Sequence, residues 1–322
     1  MRAALYRRTG PAADVLRVEE IERPQPGPGE VLVRVRASGV NPTDYKSRSG
    51  MTPRPIDGFQ IPHQDGAGII EAVGPGVDPG RVGERVWLWL AAVGRRWGTA
   101  AEWTVVPDRH AVPHPDGASF DLGASLGVPA LTAHYCLFAD GPVDGKTVLV
   151  AGGAGAVGHF AIELAKRAGA RVITTVSSHE KAALAEKAGA DLVVNYRAAD
   201  VVQQVRAFAP AVDRVIEVAL GANLALDLAL SQVGTTVVTF AAEAADPVLP
   251  VRACMTANVV LRFMLLYTVP AAALEAAAAD ITVALGAGDL TGLPVHKYPL
   301  DAVVAAHDAA EASVTGKIIV TP

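Results

Sequence analysis

Apolar and polar positions change rhythm twice along this chain, and each change predicts a different kind of structure. Before Pro113, short β-like runs are punctuated by Gly and Pro: Met1–Tyr6, Val15–Glu20, Val31–Ser38, Gly68–Gly74, Glu84–Leu90 and Ala101–Val106. Within them Val31-Leu-Val-Arg-Val-Arg alternates apolar with basic residues, as a strand wet on one face does, and Pro24-Gln-Pro-Gly-Pro-Gly29 reads as a turn-rich connector. After Pro113 a helical period sets in at Phe120–Leu126 and Ala130–Ala139. Strands at Val148, Val172, Leu192–Asn195, Arg214–Val218 and Thr235–Phe240 then alternate with helical segments. That alternation predicts a doubly wound parallel sheet.

A third rhythm follows. Asn258–Tyr267 is apolar on both faces and stops before Pro270, which suits a strand buried by a second copy of the chain or, equally, an internal core strand. An alanine-rich helix (Ala271–Leu285), another helix (Leu300–Ala312) and a strand (Lys317–Val320) lead back to the first module. The predicted class is α/β. A β-rich module formed by residues 1–122 and 270–322 accompanies a doubly wound domain over 123–269.

The first chemistry lies between two of the strands. A β-branched run at Val148–Val150 leads into Gly153-x-Gly155-x-x-Gly158, a helix follows from Val157 to Ala168 and stops at Gly169, and a second strand covers Val172–Val176. In this reading Gly153 makes the tight turn, Gly155 lets the backbone approach a pyrophosphate and Gly158 lets helix and strand pack closely. The helix N-terminus at Ala156 and Val157 offers N–H groups to the anion. A dinucleotide is the expected ligand. No Asp or Glu stands about twenty residues beyond the glycines, where the ribose hydroxyls of NAD want a carboxylate. Ser177, Ser178 and Lys181 suit a 2′-phosphate instead, so the expected cofactor is NADPH; the alternative makes the serines an N-cap and Lys181 a solvated helix lysine.

Composition narrows the partners. Of 322 residues, 51% are hydrophobic, enough for two cores, and a net charge of -5 with scattered Lys and Arg argues against nucleic acid. No uninterrupted apolar run approaches the length of a membrane helix, and Met1-Arg-Ala-Ala-Leu-Tyr-Arg-Arg8 lacks a signal-peptide core, so a cytoplasmic protein is expected. Cys136 and Cys254 supply neither a disulfide framework nor a cysteine-rich zinc site.

Seven motifs in order resemble the medium-chain dehydrogenase/reductase superfamily, and within it the zinc-free, zeta-crystallin-like quinone oxidoreductases. They are Ser38-Gly-Val-Asn-Pro-Thr-Asp44, Asp65-Gly-Ala-Gly-Ile-Ile-Glu-Ala-Val-Gly74, Gly83-Glu-Arg-Val86, Gly98-Thr-Ala-Ala-Glu-Trp103, the glycine turn, Ala188-Gly-Ala-Asp191 with Val194-Asn-Tyr196, and Thr315-Gly-Lys317. The resemblance implies a GroES-like β-rich catalytic domain containing both chain ends, a Rossmann domain between them, NADPH in the cleft and a homodimer joined through Rossmann edge strands. It places Lys181 and Tyr196 at the adenosine 2′-phosphate and adds Thr132, Phe240 and Lys317 to the expected cofactor contacts. It also implies where zinc ligands would stand in a metal-dependent relative: a Cys at Asn41 and a His at Gln64. Neither is met, and the remaining histidines have no paired metal spacing, so no metal is expected. His63 is expected as a loop histidine.

The expected chemistry is direct, metal-free hydride transfer from NADPH to a quinone or another activated α,β-unsaturated carbonyl. Asn41 is the candidate donor to the developing oxyanion, Asp44 the residue that orients its loop, and Tyr45 or Lys46 the proton donor. Trp87, Trp89 and Trp97 suit either a stacking wall for a planar acceptor or core packing. Two other readings are an enoyl-thioester reductase of secondary metabolism and a non-catalytic, crystallin-like NADPH-binding protein.

Overall fold

In the computed structural model, which describes residues 1–242 and 245–322, the punctuated opening becomes mostly strand. It comprises β1 (Arg2–Leu5), the single turn α1 (Ala12–Val15), β2 (Arg17–Glu20), β3 (Glu30–Gly39), helix α2 (Pro42–Ser49), β4 (Asp65–Val73), β5 (Arg85–Leu88), β6 (Trp103–Pro107) and β7 (Ala111–Pro113). In β3 the alternation is realised as expected: Val31, Val33 and Val35 are buried, while Arg34 and Arg36 face solvent. Helix α3 (Phe120–Phe138) runs unbroken where the sequence suggests two helices. Pro129 lies inside it and has no N–H to give, and the N–H of the neighbouring Val128 goes to the Asp65 carboxylate at 2.8 Å.

The alternating region follows as β8 (Thr147–Ala151), α4 (Ala156–Arg167), β9 (Arg171–Val176), α5 (His179–Lys187), β10 (Leu192–Asn195), α6 (Val201–Phe208), β11 (Val212–Glu217), α7 (Leu220–Leu230), β12 (Ser231–Thr239), α8 (Val251–Ala257) and β13 (Val260–Phe263). All six strands are parallel, in the order β10-β9-β8-β11-β12-β13. This is the doubly wound order, with β8 as first strand and the direction reversing beside it. The apolar run at Asn258–Tyr267 gives only a four-residue strand. Asn258 sits in the left-handed region (φ 47°) and ends α8, so the segment begins as a helix cap rather than as a strand.

The last elements are α9 (Ala271–Ala287), β14 (Val295–Pro299), α10 (Val303–Glu311) and β15 (Lys317–Thr321). β15 pairs antiparallel with β3 and parallel with β14, extending a seven-stranded sheet in which β4, β5 and β7 follow β3, and β6 also pairs with β3. One compact unit comprises Met1–Val128, Ala278–Gly288 and Pro294–Pro322; the other comprises Pro129–Ala277 and Asp289–Leu293. The second has its own core, in which Leu149, Ile173, Val215 and Val237 from the sheet pack with Val205, Leu220 and Leu224 from the helices.

Candidate functional site

In the second unit, β8 ends in the glycine turn. The left-handed residue is Gly152 (φ 71°), one position before the glycine assigned to the turn from the sequence. Gly153 serves close packing instead, because a Cβ there would lie 2.2 Å from Thr174 Oγ1 and 2.7 Å from Ile162. Gly158 is also a packing glycine: its Cβ would lie 2.3 Å from the Gly152 carbonyl. At Gly155 a Cβ would meet only that same carbonyl, at 3.3 Å, so what it would fill is open space beside the N-terminus of α4. Space at this glycine and unpaired N–H groups in the first helical turn fit a pyrophosphate.

The parallel register brings the next candidates together at the carboxyl edge of the sheet. Asn195 pairs with Val176, so Tyr196 follows β10 beside Ser177, and the Tyr196 N–H donates to the Val176 carbonyl at 3.1 Å. Ser178 caps α5, its hydroxyl accepting the Lys181 N–H at 3.3 Å; that is the N-cap role weighed above. Lys181 is half-buried in the first turn of α5, and Glu180 beside it is exposed. Arg197 donates to the Ser177 carbonyl at 3.3 Å and lies over the Tyr196 ring. Sequence reasoning passed over this arginine; the signal was its place directly after Tyr196. Phe240 follows β12 on the same edge, its N–H reaching the Glu217 carbonyl at 3.3 Å, while Thr132 is buried on α3 away from that edge in sequence.

The first unit holds a buried polar cluster. Asn41 occupies the N-cap position of α2, yet its side chain does not cap the helix. Its Oδ1 accepts from Lys317 Nζ at 2.7 Å, and its Nδ2 donates to Asp65 Oδ2 at 2.7 Å. Lys317 Nζ lies 3.7 Å from that carboxylate. Asp44 takes the capping role: its carboxylate accepts the Asn41 backbone N–H at 2.7 Å. Asn41 and Lys317 are each only 3% exposed. Lys317, expected at the cofactor, therefore spends its ammonium on Asn41 and Asp65. Burial and the Asp65 charge push Asp44 up to about 7; burial also raises Asp65, opposed by the Lys317 ammonium, and lowers Lys317, opposed by both carboxylates. Tyr45 and Lys46 are half-buried on α2, and burial raises the Tyr45 phenol.

Behind this cluster runs a hydrogen-bonded chain with one direction. Thr99 donates to the Asp65 carbonyl at 2.5 Å, so Ser38, 2.7 Å away, donates to Thr99 and accepts from His63 Nδ1 at 2.8 Å. His63 Nε2 then accepts from His307 Nε2 at 3.0 Å. His63 thus lies in the irregular segment before β4, as expected of a loop histidine, but its side chain is fully buried. Burial pushes His307 down to about 3 and His63 well below its usual range, so both are neutral at physiological pH. Of the tryptophans, Trp87 and Trp89 are core: Trp87 donates to Thr282 and Trp89 stacks on His110 at 4.0 Å. Trp97 is half-buried edge-to-face on Phe59, and Arg95 and Arg96 are paired with Glu30 and Asp57.

Comparison with known proteins now has a geometry to refer to. Residues 27–116 match the alcohol dehydrogenase GroES-like domain, and residues 156–282 match the zinc-binding dehydrogenase family. The second description implies zinc, but among the described residues no group of three or more His, Cys, Asp or Glu side chains converges as a metal site. These residues do not fit the metal. Rat quinone oxidoreductase is 34% identical over 229 residues, covering 70% of this chain and 68% of the relative; human quinone oxidoreductase is 29% identical over 315 residues, covering 96% and 94%. Among solved structures, a mycobacterial quinone oxidoreductase is 34% identical, with a TM-score of 0.87 and complete coverage of both chains. Escherichia coli quinone oxidoreductase, solved with NADPH, is 25% identical with a TM-score of 0.86, also with complete coverage. With a turn-and-helix cradle in one unit, a GroES-like sheet in the other and relatives of this extent, the chain belongs to the quinone oxidoreductase family of the medium-chain dehydrogenases/reductases.

Proposed function

We propose that this protein is an NADPH-dependent oxidoreductase that reduces quinones or other activated α,β-unsaturated carbonyls. The observation that carries the cofactor choice is the end of β9: no carboxylate stands there for ribose hydroxyls, Arg197 donates to the Ser177 carbonyl, and Lys181 follows in the first turn of α5. Relatives solved with NADPH support the same choice. When bound, NADPH supplies a hydride, that is, two electrons and one proton.

In this reading the acceptor gains the hydride at carbon, its conjugated π electrons move onto oxygen, and the charge there is met by a hydrogen bond from Asn41 Nδ2. A proton from α2 then completes the saturated carbonyl; with a quinone it gives the keto tautomer, which becomes the quinol when the carbon that took the hydride loses a proton and the second oxygen gains one. Tyr45, kept protonated by burial, and Lys46 are the carriers that helix offers. NADPH oxidation is expected with 1,4-benzoquinone, 9,10-phenanthrenequinone and 2-alkenals. Turnover confined to crotonyl-CoA would make it a thioester reductase, and silence with every acceptor would remove the enzymatic reading.

The same proposal includes a homodimer joined along β13. This strand is an edge of the parallel sheet, and Phe263 and Leu265 at its end are 66% and 55% exposed. Light scattering should give twice the chain mass of 33.3 kDa, and Phe263→Glu should give the single chain; a monomeric parent would contradict the assembly.

A further inference from the structure

The orientation of the Asn41 amide is dictated by unlike partners. An ammonium only donates and a carboxylate only accepts, so Lys317 fixes Oδ1 on one side and Asp65 fixes Nδ2 on the other. One of the two Nδ2 hydrogens is used by Asp65, which leaves a single hydrogen with a single direction. The cation that polarises this amide comes from β15, and the carboxylate that anchors it comes from β4. Asp65 is itself held: Val128 donates to its Oδ1, Thr99 to its carbonyl, and Gly127 has no Cβ because one would lie 2.2 Å from that Oδ1. Nothing in this arrangement swivels freely.

We propose that Lys317 is a positioning residue for the reduction: its buried ammonium locks and polarises Asn41, so that the remaining Nδ2 hydrogen is the fixed, positively biased donor to the acceptor oxygen. This rests on the function proposed above and assigns Lys317 to the acceptor side rather than to the cofactor. It also accounts for the mismatch with zinc. Where no donor set among the described residues converges on a metal, a side-chain cation lies behind the oxygen-binding group. The charge acts through an amide, so it can stabilise a developing oxyanion without binding the acceptor oxygen itself.

A pair of variants separates this role from simple charge neutralisation. Lys317→Met leaves Asp65 buried without its cation and is expected to lower thermal stability. Lys317→Met/Asp65→Asn removes both charges and should return the melting temperature toward the parent, while an asparagine at 65 can still accept from Asn41. In the double variant kcat should remain down by about tenfold or more, with NADPH affinity changed by less than about threefold. Recovery of kcat together with stability would make Lys317 a mere counter-ion, and a loss of NADPH affinity with kcat retained would return it to the cofactor. A second readout needs no turnover. The chain has four asparagines, Asn41, Asn195, Asn223 and Asn258, so ¹⁵N-asparagine labelling gives four side-chain amide pairs. The Asn41 pair should move in Lys317→Met, and an unmoved pair overturns the proposal even if no acceptor is ever found. Parent inactivity with all acceptors, by contrast, defeats only the functional reading.

Discussion

Replacing Lys181 and Arg197 together by alanine is expected to weaken NADPH binding about a hundredfold and NADH binding less than about threefold. A hydrogen bond to a charged group contributes about 1.5–3 kcal/mol. Arg197 is exposed and Lys181 half-buried, so each belongs near the bottom of that range, and two such losses multiply to about two orders of magnitude. Ser178 is left intact because its hydroxyl caps α5; changing it would confound binding with helix stability. Exposure adds a second signature: NADPH affinity of the parent should fall more steeply with salt than that of the double variant. Titrations with both cofactors at two ionic strengths check both points. Equal losses for NADH and NADPH would move the 2′-phosphate away from β9.

Asp227→Asn should raise the melting temperature by about 5 °C or more at pH 9 and leave it nearly unchanged at pH 5. Asp227, on α7, is buried and hydrogen-bonded to Glu217 at the end of β11, whose own Oε1 already accepts from the Ala219 N–H and from Asn223. Burial first, then the Glu217 charge, pushes Asp227 up to about 8. The folded chain therefore holds a proton that the unfolded chain releases near pH 4. Its contribution is fully present below that pH and is lost as pH rises toward 8, at most about 1.4 kcal/mol per pH unit. Asparagine keeps a donor toward Glu217 and has no proton to lose. Melting curves from pH 5 to 9 decide it, and parallel curves for parent and variant would show that the pair does not share a proton. On the acid side the limit is different, since neutral His63 and His307 must take up charge within the core.

The parts of this molecule that were legible before the structure are those where one local rule decides. Five of the six parallel strands follow from alternating apolar periods, and the glycine turn follows from spacing. Where two rules compete, the sequence reading faltered. The period suggests two helices, Phe120–Leu126 and Ala130–Ala139, but α3 runs on through Pro129, and the N–H of Val128 beside it donates to a carboxylate from β4, a partner 63 positions away that no local pattern reveals. β14, Val-His-Lys-Tyr-Pro, was missed because its side chains are largely exposed or half-buried, leaving no apolar signal; it exists by pairing with β15. At the site, Asn41 was singled out from its motif, whereas Asp65 was seen only as part of another motif. Their bond crosses 24 residues and depends on sheet register, and the lysine that joins them lies 276 residues from Asn41.

That last separation has a meaning during synthesis. Asp44 and Asp65 emerge early, both destined for the interior of the same cluster, and the Lys317 ammonium that faces them arrives with β15. At about 5–20 residues per second, 276 residues take on the order of tens of seconds to translate. Through that interval the nascent amino-terminal sheet lacks the counter-charge its interior requires, and β3 lacks its β15 neighbour. The GroES-like unit is thus built to mature late, after the nucleotide-binding unit that lies inside it in the sequence has been fully synthesised.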